Sequence, residues 1–176
     1  AVFLGDNDPQ RLAELCRFFD GVPLHEYKTV GGTNAYIPNP AIWLLGATTP
    51  NWIESCMPQL AVGGGITSRI IFVYAPKKDK HISLTKMEAF DPRIEAEIIN
   101  DLQVISEMRG QFFVDKSGDE TFDKWYSEIY PKMQPEDTRL AYFMDRLPAH
   151  VAKLSMVTSA ARRDTMTITG GDVAMA

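Results

Sequence analysis

Three side chains stand where a chain could handle phosphate. Thr48 and Thr49 close the apolar run Ala41-Ile42-Trp43-Leu44-Leu45-Gly46-Ala47, directly ahead of Pro50. Arg69 lies between Gly63-Gly64-Gly65 and a second apolar run, Ile70-Ile71-Phe72-Val73-Tyr74-Ala75. A threonine hydroxyl at the mouth of a buried strand can orient a water against a phosphate. A guanidinium is planar, always charged and able to grip two oxygens at once, which suits a transferring phosphoryl group. Each residue also has a plain structural reading. Thr-Thr-Pro is ordinary turn chemistry at a strand end, and Arg69 can make a surface ion pair or contact a carbonyl. Lys28, near the tip of a hairpin, can protect an edge or neutralise a nucleic-acid phosphate. Arg146 can be a surface charge at a helix start.

The elements that position these residues follow from the pattern. Short apolar runs closed by Pro or Gly predict buried strands at 41–47 and 70–75. Val30-Gly31-Gly32 predicts a hairpin tip between Pro23–Thr29 and Thr33–Ile37. Asp8-Pro9 predicts a helix start with Asp8 as its cap and Leu12, Leu15, Phe18 and Phe19 on its apolar face. A further helix is expected over 51–60. After Pro76 the pattern turns helical, with Ile94, Ile98, Ile99, Leu102 and Ile105 on one amphipathic helix from Pro92 to Met108. Gln111–Asp115 reads as extended. Helices follow that carry Phe122, Trp125, Tyr126, Ile129 and Tyr130, that begin at Pro135-Glu136-Asp137, and that begin near Pro148. Thr169-Gly170-Gly171-Asp172 has the spacing of a capping box. Trp43, Trp52 and Trp125 are expected in the core.

The totals narrow the classes. The chain has 176 residues, 45% hydrophobic and 23% charged, with a net charge of -5. That fits one domain with an appended subdomain and argues against a broadly basic nucleic-acid face. No run reaches the roughly 20 apolar residues of a membrane span, and no signal peptide is visible. The two cysteines, Cys16 and Cys56, have no metal-type spacing and suit reduced thiols in the cytoplasm. The three histidines, His25, His81 and His150, fall in separate segments, so no metal site is expected. No phosphate loop, no His-Glu-x-x-His and no Gly-x-Ser-x-Gly occurs. A first residue other than Met, and a last helix that stops early, lead us to expect a piece of a longer protein.

The order of these motifs resembles the C-terminal half of an AAA+ ATPase module. It is especially similar to minichromosome-maintenance-type helicases and to phage or plasmid primase-helicase ATPases. Leu44–Pro50 resembles the sensor-1 strand, with Thr49 where those helicases usually carry Asn. Ile66–Val73 resembles the arginine-finger segment, with Arg69 as the finger. Leu24–Ile37 resembles the hairpin that touches DNA, with Lys28 as its channel lysine. Arg146-Leu147 onward resembles the lid, with Arg146 as the sensor-2 arginine.

The resemblance implies an α/β fold: the C-terminal part of a P-loop NTPase sheet with a hairpin insertion at about 24–37, then an α-helical lid. Residues 1–76 would be a partial ATPase core and 77–176 the lid. The full-length protein would be an ATP-driven helicase or primase-helicase of DNA replication, binding ATP and Mg. Thr49 and Arg69 would be catalytic, and Thr48, Thr49 and Arg146 nucleotide-binding. Its partners would be its own copies in a ring, a hexamer above all, and single- or double-stranded DNA, with no membrane. The chain alone would be an inactive fragment that holds no cofactor. The alternative from another class is a non-catalytic α/β protein-interaction module, phage-derived.

Overall fold

The computed structural model describes residues 9–28, 34–56, 65–77, 81, 83, 91–133 and 135–176. They divide between two compact units. One draws on residues up to Ile71 together with Pro135–Arg146, the other on Phe72–Gln134 and Leu147–Ala176.

The first unit begins with helix α1, Pro9–Asp20. Proline suits a first helical turn because its missing N–H would have had no partner there. The expected cap, Asp8, lies outside the described residues. Gly21, at φ 80, ends the helix in a conformation that glycine reaches without strain. Leu12 and Cys16 face inward and meet Ile66, with Leu15 and Ile70 packed around them. Strands β1, Leu24–Lys28, and β2, Asn34–Pro38, pair antiparallel, with Leu24 opposite Pro38 and Lys28 opposite Asn34. Residues 29–33, the expected hairpin tip, lie outside the described residues. His25 of β1 is buried, edge-on to Phe18 at 4.9 Å. Helix α2 spans Pro50–Cys56, and a single 3-10 turn spans Thr67–Arg69.

The α/β sheet expected from the sequence is not formed. The described residues are mainly helical and hold only two two-stranded sheets. Residues 41–49 and 71–75 form no helix, strand or turn and lie exposed. Trp43 is 87% exposed, not a core residue, and Ile42, Leu44, Leu45, Ile71, Phe72, Val73 and Tyr74 are exposed with it. An unbroken apolar run signals a need for cover on both faces. It does not carry the information about what supplies that cover.

The second unit holds helix α3, Pro92–Glu107, whose first turn is closed by the Asp91 carboxylate accepting from the Arg93 N–H at 2.9 Å. Strand β3, Phe113–Val114, pairs parallel with β4, Thr167–Ile168. Asp115 caps helix α4, Lys116–Lys124, by accepting from the Gly118 N–H at 2.8 Å. One π-helical turn follows at Trp125–Ile129. It carries Tyr126 into a near-parallel stack with Phe122 and Tyr130.

Helix α5 runs from Ala141 to Arg163 straight through Pro148, where the sequence suggested a new start. The division between the units falls just before that proline, between Arg146 and Leu147. Proline has no N–H for the carbonyl four residues back, so the ladder is interrupted there.

Helix α6, Gly170–Met175, begins with the expected capping box. Asp172 accepts from the Thr169 N–H at 2.7 Å and the Thr169 hydroxyl at 2.8 Å, and also pairs with Arg163. Val151, Ile168 and Val173 form the core of this unit, with Phe112, Phe122, Trp125 and Met156 around them.

Two glycines let α4 meet the β4–α6 connection. A Cβ on Gly118 would lie 2.7 Å from the Ile168 carbonyl oxygen and 2.8 Å from Val114 Cγ1. One on Gly170 would lie 2.8 Å from the Ser117 carbonyl oxygen. Backbone cannot yield as a side-chain tip can. Gly118→Ala is therefore expected to lower stability in urea unfolding by about 1–3 kcal/mol, the usual cost of overpacking. Gly46→Ala, which meets nothing within 4 Å, is expected to leave stability unchanged.

Candidate functional site

The carboxylate of Asp20, the last residue of α1, joins two arginines of the first unit. Carbonyls at a helix C-terminus carry partial negative charge, so an acidic residue there needs cations nearby. Arg69 supplies one. Its Nε donates to Oδ1 at 3.2 Å and its Nη2 to Oδ2 at 2.6 Å, the two-pronged grip of guanidinium on carboxylate. Arg146 supplies the second, with Nη1 donating to Oδ1 at 2.8 Å. The Arg69 side chain is 10% exposed, against 40% for Asp20 and 36% for Arg146.

The sequence builds this geometry locally. The 3-10 turn at Thr67–Arg69 folds back on Gly65, at φ 81, whose carbonyl accepts from Arg69 Nη1 at 2.7 Å and from the buried Ser68 hydroxyl at 2.7 Å. The guanidinium carbon of Arg69 sits 5.9 Å from the centre of the Phe19 ring, within reach of a cation–π attraction. Arg69 is thus committed within its own chain by a carboxylate, a carbonyl and a ring.

The hydrogen bonds from Arg69 hold the Asp20 carboxyl below its ordinary value of 3.8. Partial burial pushes the other way, and the charges of Arg69 and Arg146 add to the lowering. Two fixed guanidiniums on one carboxylate form an anion clamp whose occupant is part of the chain. An external phosphate could enter it only by displacing Asp20.

Of the residues singled out in the sequence, Arg69 and Arg146 are therefore brought together, on Asp20. The threonines are elsewhere in role. Thr49 immediately precedes α2: its hydroxyl accepts from the Trp52 N–H at 3.4 Å and its carbonyl from the Trp52 and Ile53 N–H groups at 3.1 and 3.3 Å. Thr48 is exposed in the segment before it. Neither Thr49 nor Arg69 lies on a strand. Lys28 ends β1, and its side chain is outside what the structure describes.

Asp20 was missed as a site residue because it reads as a helix end. Its signal was the acidic side chain in the last position before Gly21, where the helix dipole favours a base. Among the described residues no group of three or more His, Cys, Asp or Glu side chains is arranged to hold a metal. Gly63 and Gly64 fall outside the described residues.

Comparisons with protein-family models, with curated proteins and with solved structures found no match. The AAA+ resemblance stands on its short motifs alone.

Asp20→Asn gives a direct readout of the clamp. A carboxyl whose folded pKa is depressed contributes stability above its unfolded value and loses it as pH falls through the folded value. The native chain is expected to exceed the Asp20→Asn variant in urea midpoint by a constant margin above about pH 5. That margin is expected to shrink progressively as the pH drops below 3.8. A margin independent of pH would show that the charge of Asp20 is not what Arg69 and Arg146 hold.

Proposed function

We propose that this chain is a non-catalytic protein-interaction module that works by docking onto another protein. The observation that carries this reading is the uncovered apolar surface. Single exposed apolar residues are ordinary, but contiguous ones mark interaction sites. Here they come as the consecutive runs Ile42–Leu45 and Ile71–Tyr74. A segment that belongs to no sheet can be recognised by adding as a strand to the sheet edge of a partner. No helix of the described residues is long and apolar enough to cross a membrane. A cytoplasmic location belongs to the same proposal and rests on the sequence and on the buried thiol of Cys16, which is in no disulfide.

The reading is tested by placing a photo-crosslinking residue at Leu45, at Phe72 and, as a polar control, at the exposed Glu54, and irradiating cells that make the protein. Leu45 and Phe72 are expected to yield one discrete protein adduct that Glu54 does not. Diffuse products indistinguishable from those of Glu54 would overturn it.

A second reading is supported by one observation, the meeting of Arg69 and Arg146. In it the chain is part of an ATP-driven replicative helicase or primase-helicase acting on DNA as a ring. Arg69 leaves Asp20 to serve the nucleotide of a neighbouring subunit. Arg69→Lys separates the roles, because lysine keeps the charge but loses the fork. A finger arginine contributes roughly 10³- to 10⁵-fold to turnover. This reading expects ATP turnover of the full-length protein to fall at least about a hundredfold with KM little changed. Unchanged turnover alongside a lowered melting temperature would leave Arg69 a structural residue.

A further inference from the structure

Helix α3, Pro92–Glu107, has no buried residue. A helix of this length is marginal in water unless its apolar face is covered. At 100° per residue, Ile94, Ile98, Leu102 and Ile105 fall on one stripe, and the first three are exposed. Glu95 lies beside the stripe on one side, between Leu102 and the equally exposed Ile99, and Asp101 and Glu97 flank it on the other. The only basic residue of the helix, Arg93, falls on the opposite face. The stripe is therefore apolar along its centre and acidic along both borders.

A second copy of the chain is a poor cover for this stripe. Antiparallel pairing that matched Ile98 with Leu102 would bring the two Asp101 carboxylates to one flank within a turn of the symmetry axis. Parallel pairing would set the Glu95 border against the Asp101 border. Either way acid meets acid, and like charges across a helix pair destabilise it. An anionic membrane surface is repelled for the same reason.

We propose that the Ile94–Ile105 stripe of α3 docks an amphipathic helix of a partner protein whose apolar ridge is bordered by Lys or Arg. This rests on the interaction-module reading and names the chemistry of one partner segment. Apolar anchors at i, i+4 and i+8 supply the contact area, and the flanking carboxylates select the sign of the partner's borders and speed encounter at low salt.

The probe is a pair of fluorescent 21-residue helical peptides with the same Leu ridge, one bordered by Lys and the other by Glu. They are titrated against the whole chain by anisotropy at low and high salt. The Lys-bordered peptide is expected to bind at least about tenfold more tightly at low salt, with the gap narrowing as salt screens the borders. Ile98→Asp is expected to abolish binding, and the Glu95→Lys/Asp101→Lys double variant to reverse the preference. Circular dichroism and the unfolding midpoint of each variant check that the fold is retained, which the exposure of α3 favours.

Equal binding of both peptides, or binding that survives Ile98→Asp, overturns the proposal. So does a concentration-dependent dimer dissociated by Ile98→Asp, or Ile98-dependent flotation with phosphatidylserine vesicles. Adducts from Leu45 and Phe72 that persist while the peptides fail would sink this inference alone and leave the interaction-module reading standing.

Discussion

Apolar surface left in water is the constraint around which this molecule is organised. Burying one large apolar side chain stabilises by roughly 1.5–3 kcal/mol. Ile42, Leu44, Leu45, Ile71, Phe72 and Val73 together therefore hold on the order of 10 kcal/mol of undelivered stabilisation. Association costs of about 4–15 kcal/mol fall in the same range. Covering these runs would therefore offset much of that cost. The small cores at Leu12–Cys16–Ile66 and Val151–Ile168–Val173 are what the chain completes for itself.

Polar groups, by contrast, are well matched. Among the described residues no buried side-chain nitrogen or oxygen lacks a hydrogen-bond partner. Asp20 joins α1, the Thr67–Arg69 turn and the start of α5. Asp172 closes the first turn of α6 and accepts from Arg163. Burial pushes the Asp172 carboxyl up, but the Thr169 donors and Arg163 outweigh it and hold it below the ordinary carboxylate value. Both carboxylates act as local organisers. That explains why an arginine that reads as a catalytic finger from its neighbours in sequence is found gripping its own chain.

What could be read from the sequence follows the range of the forces involved. Caps, turns and helix faces are local, and α1, α3, the β1–β2 pair and the capping box at Thr169–Asp172 stand where the local pattern put them. The continuous helix through Pro148 does not, because a helix already formed on both sides carries the proline against its preference. The sheet was out of reach, since a strand is defined by a neighbour and the apolar runs at 41–47 and 70–75 specify only that one is wanted. The candidate site was half legible. Arg69 and Arg146 were both singled out, but the carboxylate that joins them lies 49 positions from one and 126 from the other. No spacing rule spans that distance.

The most direct measurement is amide hydrogen exchange on the chain alone and on the complex recovered with it from cells. Residues 41–47 and 71–75, which belong to no sheet, are expected to exchange at unprotected rates in the chain alone and at least tenfold more slowly in the complex. Amides of β1, β2 and the β3–β4 pair are expected to change little. Equal exchange of 41–47 and 71–75 in both states would contradict the claim that these runs are docking surfaces.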